Sequence, residues 1–305
     1  MHGLATNPID VKNKRLIGVL CAIGAAMCYG TNLLGALNLY AEGMNTPSVL
    51  FYRFWLACVI ITMVLMARHE KIRVSRREFA TLTALGILFI LSSLTLYLSF
   101  HLMPAGIAST ILFTYPVITA AIMALFFHER VTFMTVLSIA LALAGVLLLY
   151  WGDGTGGLNI GGVALVLVSA LTYALYIIVV DKSPLQMSAF KINFYVLFYC
   201  ALGMLIFALL SGQQLQMPDS PTQWLWVGWL AVVPAIMALV MMVYAAKYLG
   251  STPTAILGAL EPATAVVIGV LVFDEPFTPY LLLGIVLILA AVTLVALRKN
   301  NFSRT

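Results

Sequence analysis

The sequence predicts an all-α membrane protein with ten transmembrane helices, arranged as two five-helix inverted repeats around a central cavity. The first observation is composition. Of the 305 residues, 63% are hydrophobic and 9% are charged, with a mean hydropathy of +1.05. Such a chain lacks the polar residues to cover a water-soluble globule. The other two observations are the distribution of basic residues and a pattern that recurs in the second half of the chain.

Apolar stretches of membrane length follow one another along the chain. A hydrocarbon core of about 30 Å needs ~20 helical residues at ~1.5 Å each. The ten predicted spans cover residues 16–37, 48–67, 79–101, 105–127, 132–151, 161–180, 189–211, 223–246, 252–273 and 279–297.

Basic residues predict the topology. If the N-terminus is cytoplasmic, fifteen of the sixteen Lys and Arg residues lie in the tails, in cytoplasmic loops or, for Lys191, at the cytoplasmic end of a span, and Arg53 is the one left over. The positive-inside rule therefore predicts that both termini are cytoplasmic. Because five is odd, spans six to ten begin on the side opposite to spans one to five, and the halves are inverted. The net charge of +5 is then a topology signal, and no nucleic-acid partner is expected.

A repeated pattern marks the end of each half. Two segments share the spacing P-x12-E-x2-T at an offset of 146 residues. The matched pairs are Pro116 with Pro262, Glu129 with Glu275, and Thr132 with Thr278. Weak internal symmetry of this kind is typical of duplicated membrane transporters. We therefore expect one repeat over residues 1–151, a second over 161–297 and a cytoplasmic tail over 298–305.

The motifs TYPVITAAIMALFFHERVT and LEPATAVVIGVLVFDEPFT, with FYRF around Arg53, resemble those of the EamA-type members of the drug/metabolite transporter superfamily. The resemblance covers nearly the whole chain. It implies a multi-pass inner-membrane carrier that works by alternating access, and an exporter of small metabolites such as amino acids. Two alternatives stay open: a carrier of drugs or nucleotide-derived metabolites, and a membrane sensor that transports nothing.

Glu261 lies near the middle of the ninth span. A carboxylate at that depth costs about 2.5–3.5 kcal/mol or more in lipid, so it should face a cavity or a partner. Two interpretations remain open for it. It either binds a proton or a cargo ammonium group, or it is a structural acid that fixes a kink at Pro262, whose missing N–H frees a carbonyl one turn earlier.

Arg53 lies about five residues into the second span from the outer face. We expect it to snorkel to the headgroups, or to pair with Glu42, Asp274 or Glu275 in an outer gate. The alternative is contact with an anionic group of the cargo.

Tyrosines and amides within the spans are the other candidates for cargo binding. Tyr29, Tyr115 and Tyr173 are deep and need hydrogen-bonding partners, so we expect them at the central cavity. The predicted substrate-binding residues are Tyr29, Asn32, Tyr97, Thr114, Tyr115, Tyr173, Tyr176, Asn193, Tyr199, Tyr244 and Glu261, and Arg53 and Glu275 are the predicted gate or charge pair. Spans five and ten are almost purely aliphatic and should lie at the periphery, against lipid or a second protomer of a homodimer.

Enzymatic motifs are missing from the sequence. It contains no HExxH, no GxSxG and no phosphate-binding glycine loop, since the GDGTGG segment lacks a following Lys. The four cysteines form no CxxC pair. We expect no enzymatic activity, no cofactor and no metal. The expected partners are a small-molecule cargo and the bilayer, with protons as the candidate coupling ion.

Overall fold

A computed structural model describes residues 8–102, 105–128, 132–151, 159–272 and 279–298. Within them the chain forms helices and short connections, without strands. The helices are α1 (Pro8–Gly30), α2 (Asn32–Ala41), α3 (Thr46–Ala67), α4 (Arg76–Ser99), α5 (Ala105–Leu112), α6 (Tyr115–Phe127), α7 (Phe133–Trp151), α8 (Ile160–Lys182), α9 (Ala189–Ser211), α10 (Pro221–Leu230), a π-helix (Ala231–Met237), α11 (Ala238–Leu249), α12 (Ser251–Leu257), α13 (Leu260–Val272) and α14 (Pro279–Arg298).

Six helical stretches in the described part of the chain are long and apolar enough to cross a membrane. They are Asn13–Ala41, Thr46–Ala67, Arg76–Ser99, Ile160–Lys182, Ala189–Ser211 and Pro221–Leu249, and shorter apolar helices cover Tyr115–Phe127, Phe133–Gly145 and Leu282–Ala291. Large apolar side chains such as Leu210 and Phe133 are exposed on the outside of the bundle. In a membrane protein these side chains face lipid, which makes their exposure favourable.

Several predicted spans are interrupted. The first breaks at Thr31, whose hydroxyl donates to the carbonyl of Cys28 over 2.7 Å. The fourth breaks between α5 and α6, and the ninth breaks between α12 and α13. The eighth contains the π-helix around Pro234, which cannot donate a backbone hydrogen bond.

One of our two interpretations of Glu261 placed a kink at Pro262 within a continuous helix, and the structure shows no such kink. The interruption comes before this proline, at Gly258 and Ala259, and Pro262 lies in the first turn of α13. Backbone N–H groups in a first turn have no partner within the helix, so a proline is tolerated there. Pro116 occupies the corresponding place at the start of α6.

The most extensive helix–helix interfaces join the first half of the chain to the second. They are α7 with α14, α4 with α8, α1 with α11, and α3 with α9. By order along the chain, the counterparts in the two halves are α1 and α8, α3 and α9, α4 and α11, and α7 and α14. If each helix is exchanged for its counterpart, the α7–α14 and α3–α9 pairs stay the same, and the α4–α8 pair becomes the α1–α11 pair. The packing pattern is therefore unchanged by the exchange. As predicted, α7 and α14 lie at an edge of the bundle, where Leu147 and Leu283 are exposed.

At one end of the bundle, the connection after α9 holds the start of α3. The backbone N–H of Asn45 donates to Oε1 of Gln216 over 2.7 Å, and its amide Nδ2 donates to the carbonyl of Gln214 over 3.0 Å. The N–H of Gln216 in turn donates to Oγ of Ser48 over 2.7 Å. We call Asn45, Ser48, Gln214 and Gln216 the α3 clamp.

At the start of α9, a counterpart contact uses the connection after α3. Nζ of Lys191 donates to the carbonyl of Arg73 over 2.8 Å, and the hydroxyl of Tyr195 donates to the carbonyl of Ile72 over 2.7 Å. We call these four residues the α9 clamp. Each half thus ties down the first turns of a helix from the other half.

Candidate functional site

A small cavity lies where three helix interruptions meet, those between α1 and α2, between α5 and α6, and between α12 and α13. Its volume is about 20 Å³, which is room for about one water molecule. The α1–α2 break contributes Gly30 and Asn32, the α5–α6 break contributes Phe113, and the first turn of α13 contributes Glu261. The full lining is Tyr29, Gly30, Asn32, Leu33, Leu96, Phe100, Ser109, Phe113, Glu261, Pro262 and Ala265.

Glu261 is placed by the first turn of α13. Its backbone N–H donates to the carbonyl of Gly258 over 2.9 Å, and its side chain lines the cavity. Among the described residues, the carboxylate has neither a hydrogen-bond donor nor a cationic partner. α1 approaches this turn closely because Gly30 has no side chain: a Cβ there would lie 2.7 Å from the carbonyl oxygen of Glu261. The positive end of the α13 dipole favours a carboxylate at this position.

Four tyrosines form a cluster beside Glu261. The ring centroid of Tyr173 lies 6.3 Å from that of Tyr29, 4.9 Å from that of Tyr115 and 6.3 Å from that of Tyr176. The buried hydroxyls of Tyr29, Tyr115 and Tyr176 have no hydrogen-bonding partner in the described structure. A buried polar group without a partner costs about 1–3 kcal/mol. The cluster therefore offers several hydrogen-bonding groups next to the carboxylate.

Arg53 corrects our expectation of a shallow, snorkelling side chain. It is 2% exposed inside the bundle, so it cannot reach the headgroups. Its Nη1 donates to Oδ1 of Asn32 over 2.9 Å and to the hydroxyl of Tyr97 over 2.7 Å. That hydroxyl donates to the same Oδ1 over 2.8 Å. We call Asn32, Arg53 and Tyr97 the Arg53 triad.

Glu42, one of the three acids proposed as partners of Arg53, does not pair with it in the described structure. Glu42 instead accepts a hydrogen bond from Ser220 over 3.2 Å. Asp274 and Glu275 lie outside the described residues, as does Glu129, so the predicted Arg53–Glu275 pair lies outside them too.

The remaining candidates lie in different places. The hydroxyl of Thr114, in the break before α6, is buried without a partner, and so are both amide atoms of Asn193 on α9. Tyr199 accepts a hydrogen bond from Thr83 over 2.8 Å. The ring of Tyr244 packs on a neighbouring tyrosine of α11. Neither Tyr199 nor Tyr244 lines the cavity or joins the tyrosine cluster.

Sequence reasoning missed two features of the cavity, the wall residue Ser109 and the close approach at Gly30. The sequence did contain a signal for the close approach at Gly30. The run Gly30-Thr31-Asn32 places small and polar residues inside an otherwise apolar span, and such a run favours an interrupted helix at that depth.

A membrane-embedded helical bundle with an acid in a cavity, and with interrupted helices around that cavity, is typical of membrane transporters. The model of the EamA-like transporter family matches this chain twice, over residues 16–151 and 160–297. The chain belongs to that family.

Relatives and a solved structure agree with this assignment. An uncharacterized transporter from Archaeoglobus fulgidus is 27% identical over 279 residues, which is 90% of this chain and 96% of that protein. The uncharacterized inner membrane transporter YedA of Escherichia coli K12 is 25% identical over 253 residues, 82% of this chain and 81% of YedA. A crystal structure with 17% sequence identity superposes with a TM-score of 0.79, covering 92% of this chain and 99% of that one, and so shares the fold.

Proposed function

We propose that the protein is a secondary transporter that exports small metabolites, such as amino acids, across the inner membrane by alternating access. The observation that carries this proposal is the carboxylate of Glu261, which lines an internal cavity at the meeting point of three helix breaks. Acids within membrane spans mark substrate or ion pathways, and transporters place their sites at discontinuous helices.

Alternating access follows from ten spans arranged as two inverted repeats. The pattern of helix–helix interfaces supports this arrangement, because it is the same when the two halves are exchanged. The two clamps support it as well, because α3 and α9 are counterparts in the two halves and each is held at its first turns by the other half. Opening one clamp while the other stays closed would expose the cavity to one side of the membrane at a time.

The orientation and the partners are parts of the same proposal. The distribution of basic residues supports cytoplasmic termini, and the name of YedA supports the inner membrane. We propose protons as the coupling ion, because the Glu261 carboxylate lines the cavity without a hydrogen-bonding or ionic partner among the described residues. The exposed aliphatic edge of α7 and α14 is the surface for a homodimer.

The test is a counterflow experiment in proteoliposomes. Purified protein is reconstituted with an internal pool of one amino acid, nucleoside or cationic drug, and uptake of the same labelled compound is measured. We expect accumulation of at least one amino acid, absent from protein-free liposomes. If none of the panel moves and the protein is shown to be folded and inserted, the transport proposal is refuted and the sensor alternative is favoured.

A further inference from the structure

A strongly basic segment joins α3 to α4. It contains five of the sixteen Lys and Arg residues of the chain, namely Arg68, Lys71, Arg73, Arg76 and Arg77. The other connections that we expect on the cytoplasmic side have one or two such residues at most. One positive charge is enough for those connections. Orientation of the chain in the membrane therefore does not by itself account for five charges in this one.

The two acids of this segment are engaged in local contacts. The carboxylate of Glu70 pairs with Nε of Arg68 over 2.9 Å and accepts a hydrogen bond from the hydroxyl of Ser188. The carboxylate of Glu78 accepts from the backbone N–H of Ser75 over 2.7 Å in the capping box of α4. The basic side chains that remain exposed, without an acidic partner in the described part of the chain, are Lys71, Arg73, Arg76 and Arg77.

We call these four residues the basic surface. The backbone beneath it is held by α9, because the carbonyls of Ile72 and Arg73 accept hydrogen bonds from Tyr195 and Lys191 in the α9 clamp. The charged side chains therefore extend from a segment that is tied to the bundle. A binding surface that is already fixed loses less conformational entropy when a ligand binds.

The internal repeat indicates that these charges are not needed for the clamp. The counterpart connection after α9, residues 212–220, contains no Lys or Arg. It nevertheless holds the start of α3 through Gln214 and Gln216. Arg76 and Arg77 also lie in the first turn of α4, where the helix dipole disfavours cations. The charges thus neither form the clamp nor stabilise α4, which points to a ligand outside the chain.

Apolar side chains lie beside the basic surface on the outside of the bundle. Met66, Ile72 and Phe79 are 68%, 37% and 51% exposed. Phe79 follows Arg76 by three residues on α4, so the two side chains share a face of the helix. In a membrane protein, exposed apolar side chains contact the acyl chains of lipids. The basic surface therefore lies where headgroups meet acyl chains.

We propose that the basic surface binds the phosphate of an anionic phospholipid, whose acyl chains lie along Met66 and Phe79. Three of its four residues are arginines, and a guanidinium donates two parallel hydrogen bonds to phosphate oxygens. In the orientation proposed above, this end of the bundle faces the cytoplasm, where anionic lipids attract basic segments next to a membrane helix. Each Lys or Arg near such a surface contributes roughly a factor of five in affinity.

Thermal unfolding of the purified full-length protein in a neutral detergent tests this proposal. The probes are phosphatidylglycerol, phosphatidylcholine with the same acyl chains, and glycerol 3-phosphate, which has no acyl chains. We expect phosphatidylglycerol to raise the melting midpoint with saturation and phosphatidylcholine not to do so at the same concentration. Glycerol 3-phosphate should need at least about a tenfold higher concentration, because it buries no apolar surface. Added salt should weaken the effect of phosphatidylglycerol, since salt screens exposed charges.

Arg76→Gln/Arg77→Gln is the decisive variant. Without added lipid, its midpoint should equal or slightly exceed that of the wild type, because it removes two cations from the positive end of the α4 dipole. Its half-saturating concentration of phosphatidylglycerol should rise about tenfold or more, since two of the four basic residues are lost. Lys299→Gln/Arg304→Gln in the C-terminal tail is the matched control. It changes the net charge equally, and its response to phosphatidylglycerol should equal that of the wild type.

If Arg76→Gln/Arg77→Gln does not fold, Lys71→Gln/Arg73→Gln makes the same comparison. Equal stabilisation by the two lipids overturns the inference, as does an unchanged half-saturating concentration in the folded double variant or an equal rise in the tail control. A response to glycerol 3-phosphate at the concentration that suffices for phosphatidylglycerol would indicate a site for free phosphate and would also overturn it. The assay measures neither transport nor orientation, so these outcomes leave the proposed function standing, and failed counterflow leaves this inference standing.

Discussion

Replacing Gly258 by alanine should destabilise the protein through a clash with Tyr115. An added Cβ would overlap the hydroxyl of Tyr115 and would lie 3.1 Å from its Cζ and 3.0 Å from the carbonyl oxygen of Ala255. The backbone at Gly258 has φ −57° and ψ −19°, which alanine adopts freely. The ring of Tyr115 has no room to retreat, because it is buried against Phe113 and Tyr173. The whole effect is therefore steric.

Overpacking of a buried site lowers the free energy of unfolding by about 1–3 kcal/mol. Thermal unfolding in detergent should report a lower midpoint for Gly258→Ala. Gly228→Ala is the matched control, because a Cβ at Gly228 meets nothing within 4 Å; this variant should melt at or above the wild-type midpoint, since alanine favours a helix.

Tyr115→Phe should rescue Gly258→Ala. It removes the overlapping hydroxyl, which has no hydrogen-bonding partner in the described structure, so on its own it should be close to neutral or stabilising. In a double-mutant cycle, the coupling energy should offset most of the loss caused by Gly258→Ala. Wild-type stability of Gly258→Ala, or a double variant as unstable as Gly258→Ala, would refute this account of the contact.

Three further predictions concern the acid, the topology and the edge helices. Glu261→Gln preserves the shape of the side chain, so the variant should fold with unchanged thermal stability yet lose transport flux or the pH dependence of that flux. If its flux equals that of the wild type from mildly acidic to mildly alkaline pH, the role of Glu261 is structural. Alkaline phosphatase fused after Asp153 should be active and after Lys71 inactive, and the reverse result would exclude cytoplasmic termini. Gly145→Ala should weaken the α7–α14 contact, since its Cβ would lie 2.7 Å from the carbonyl oxygen of Gly284; an unchanged melting midpoint would contradict this.

Hydropathy was sufficient to predict that the apolar stretches are helical, but the sequence predicted only some of the positions at which these helices are interrupted. In lipid every backbone group must bond within its own segment, so long apolar runs become helices. Pro116 and Pro262 gave a signal for two of the breaks, although the breaks precede them. Thr31 by itself gave none, because a threonine hydroxyl also bonds a preceding carbonyl in unbroken helices; the signal at that break was the whole run Gly30-Thr31-Asn32.

The candidate site was harder to predict, because position along a span gives depth but not direction. Soluble helices have a polar face that shows their rotation, whereas membrane helices are apolar all round. Tyr173 and Tyr199 both lie well inside apolar spans, yet only Tyr173 joins the cluster. For Arg53, counting from the span end suggested access to the headgroups, but contacts with α2 and α4 bury it. Such contacts depend on packing between distant segments.

The interleaving of the halves has a consequence for biosynthesis. The main partner of α1 is α11, which ends at Leu249, 219 residues after Gly30. At about 5–20 residues per second, a ribosome needs roughly 10–45 s to complete that distance. Until then, α1 and the other early helices must persist in the bilayer without their final neighbours, which membrane helices can do because their backbone bonds are internal. Assembly of the cavity is thus a late event, and a nascent chain truncated before α11 would hold Arg53 and Asn32 in an incomplete bundle.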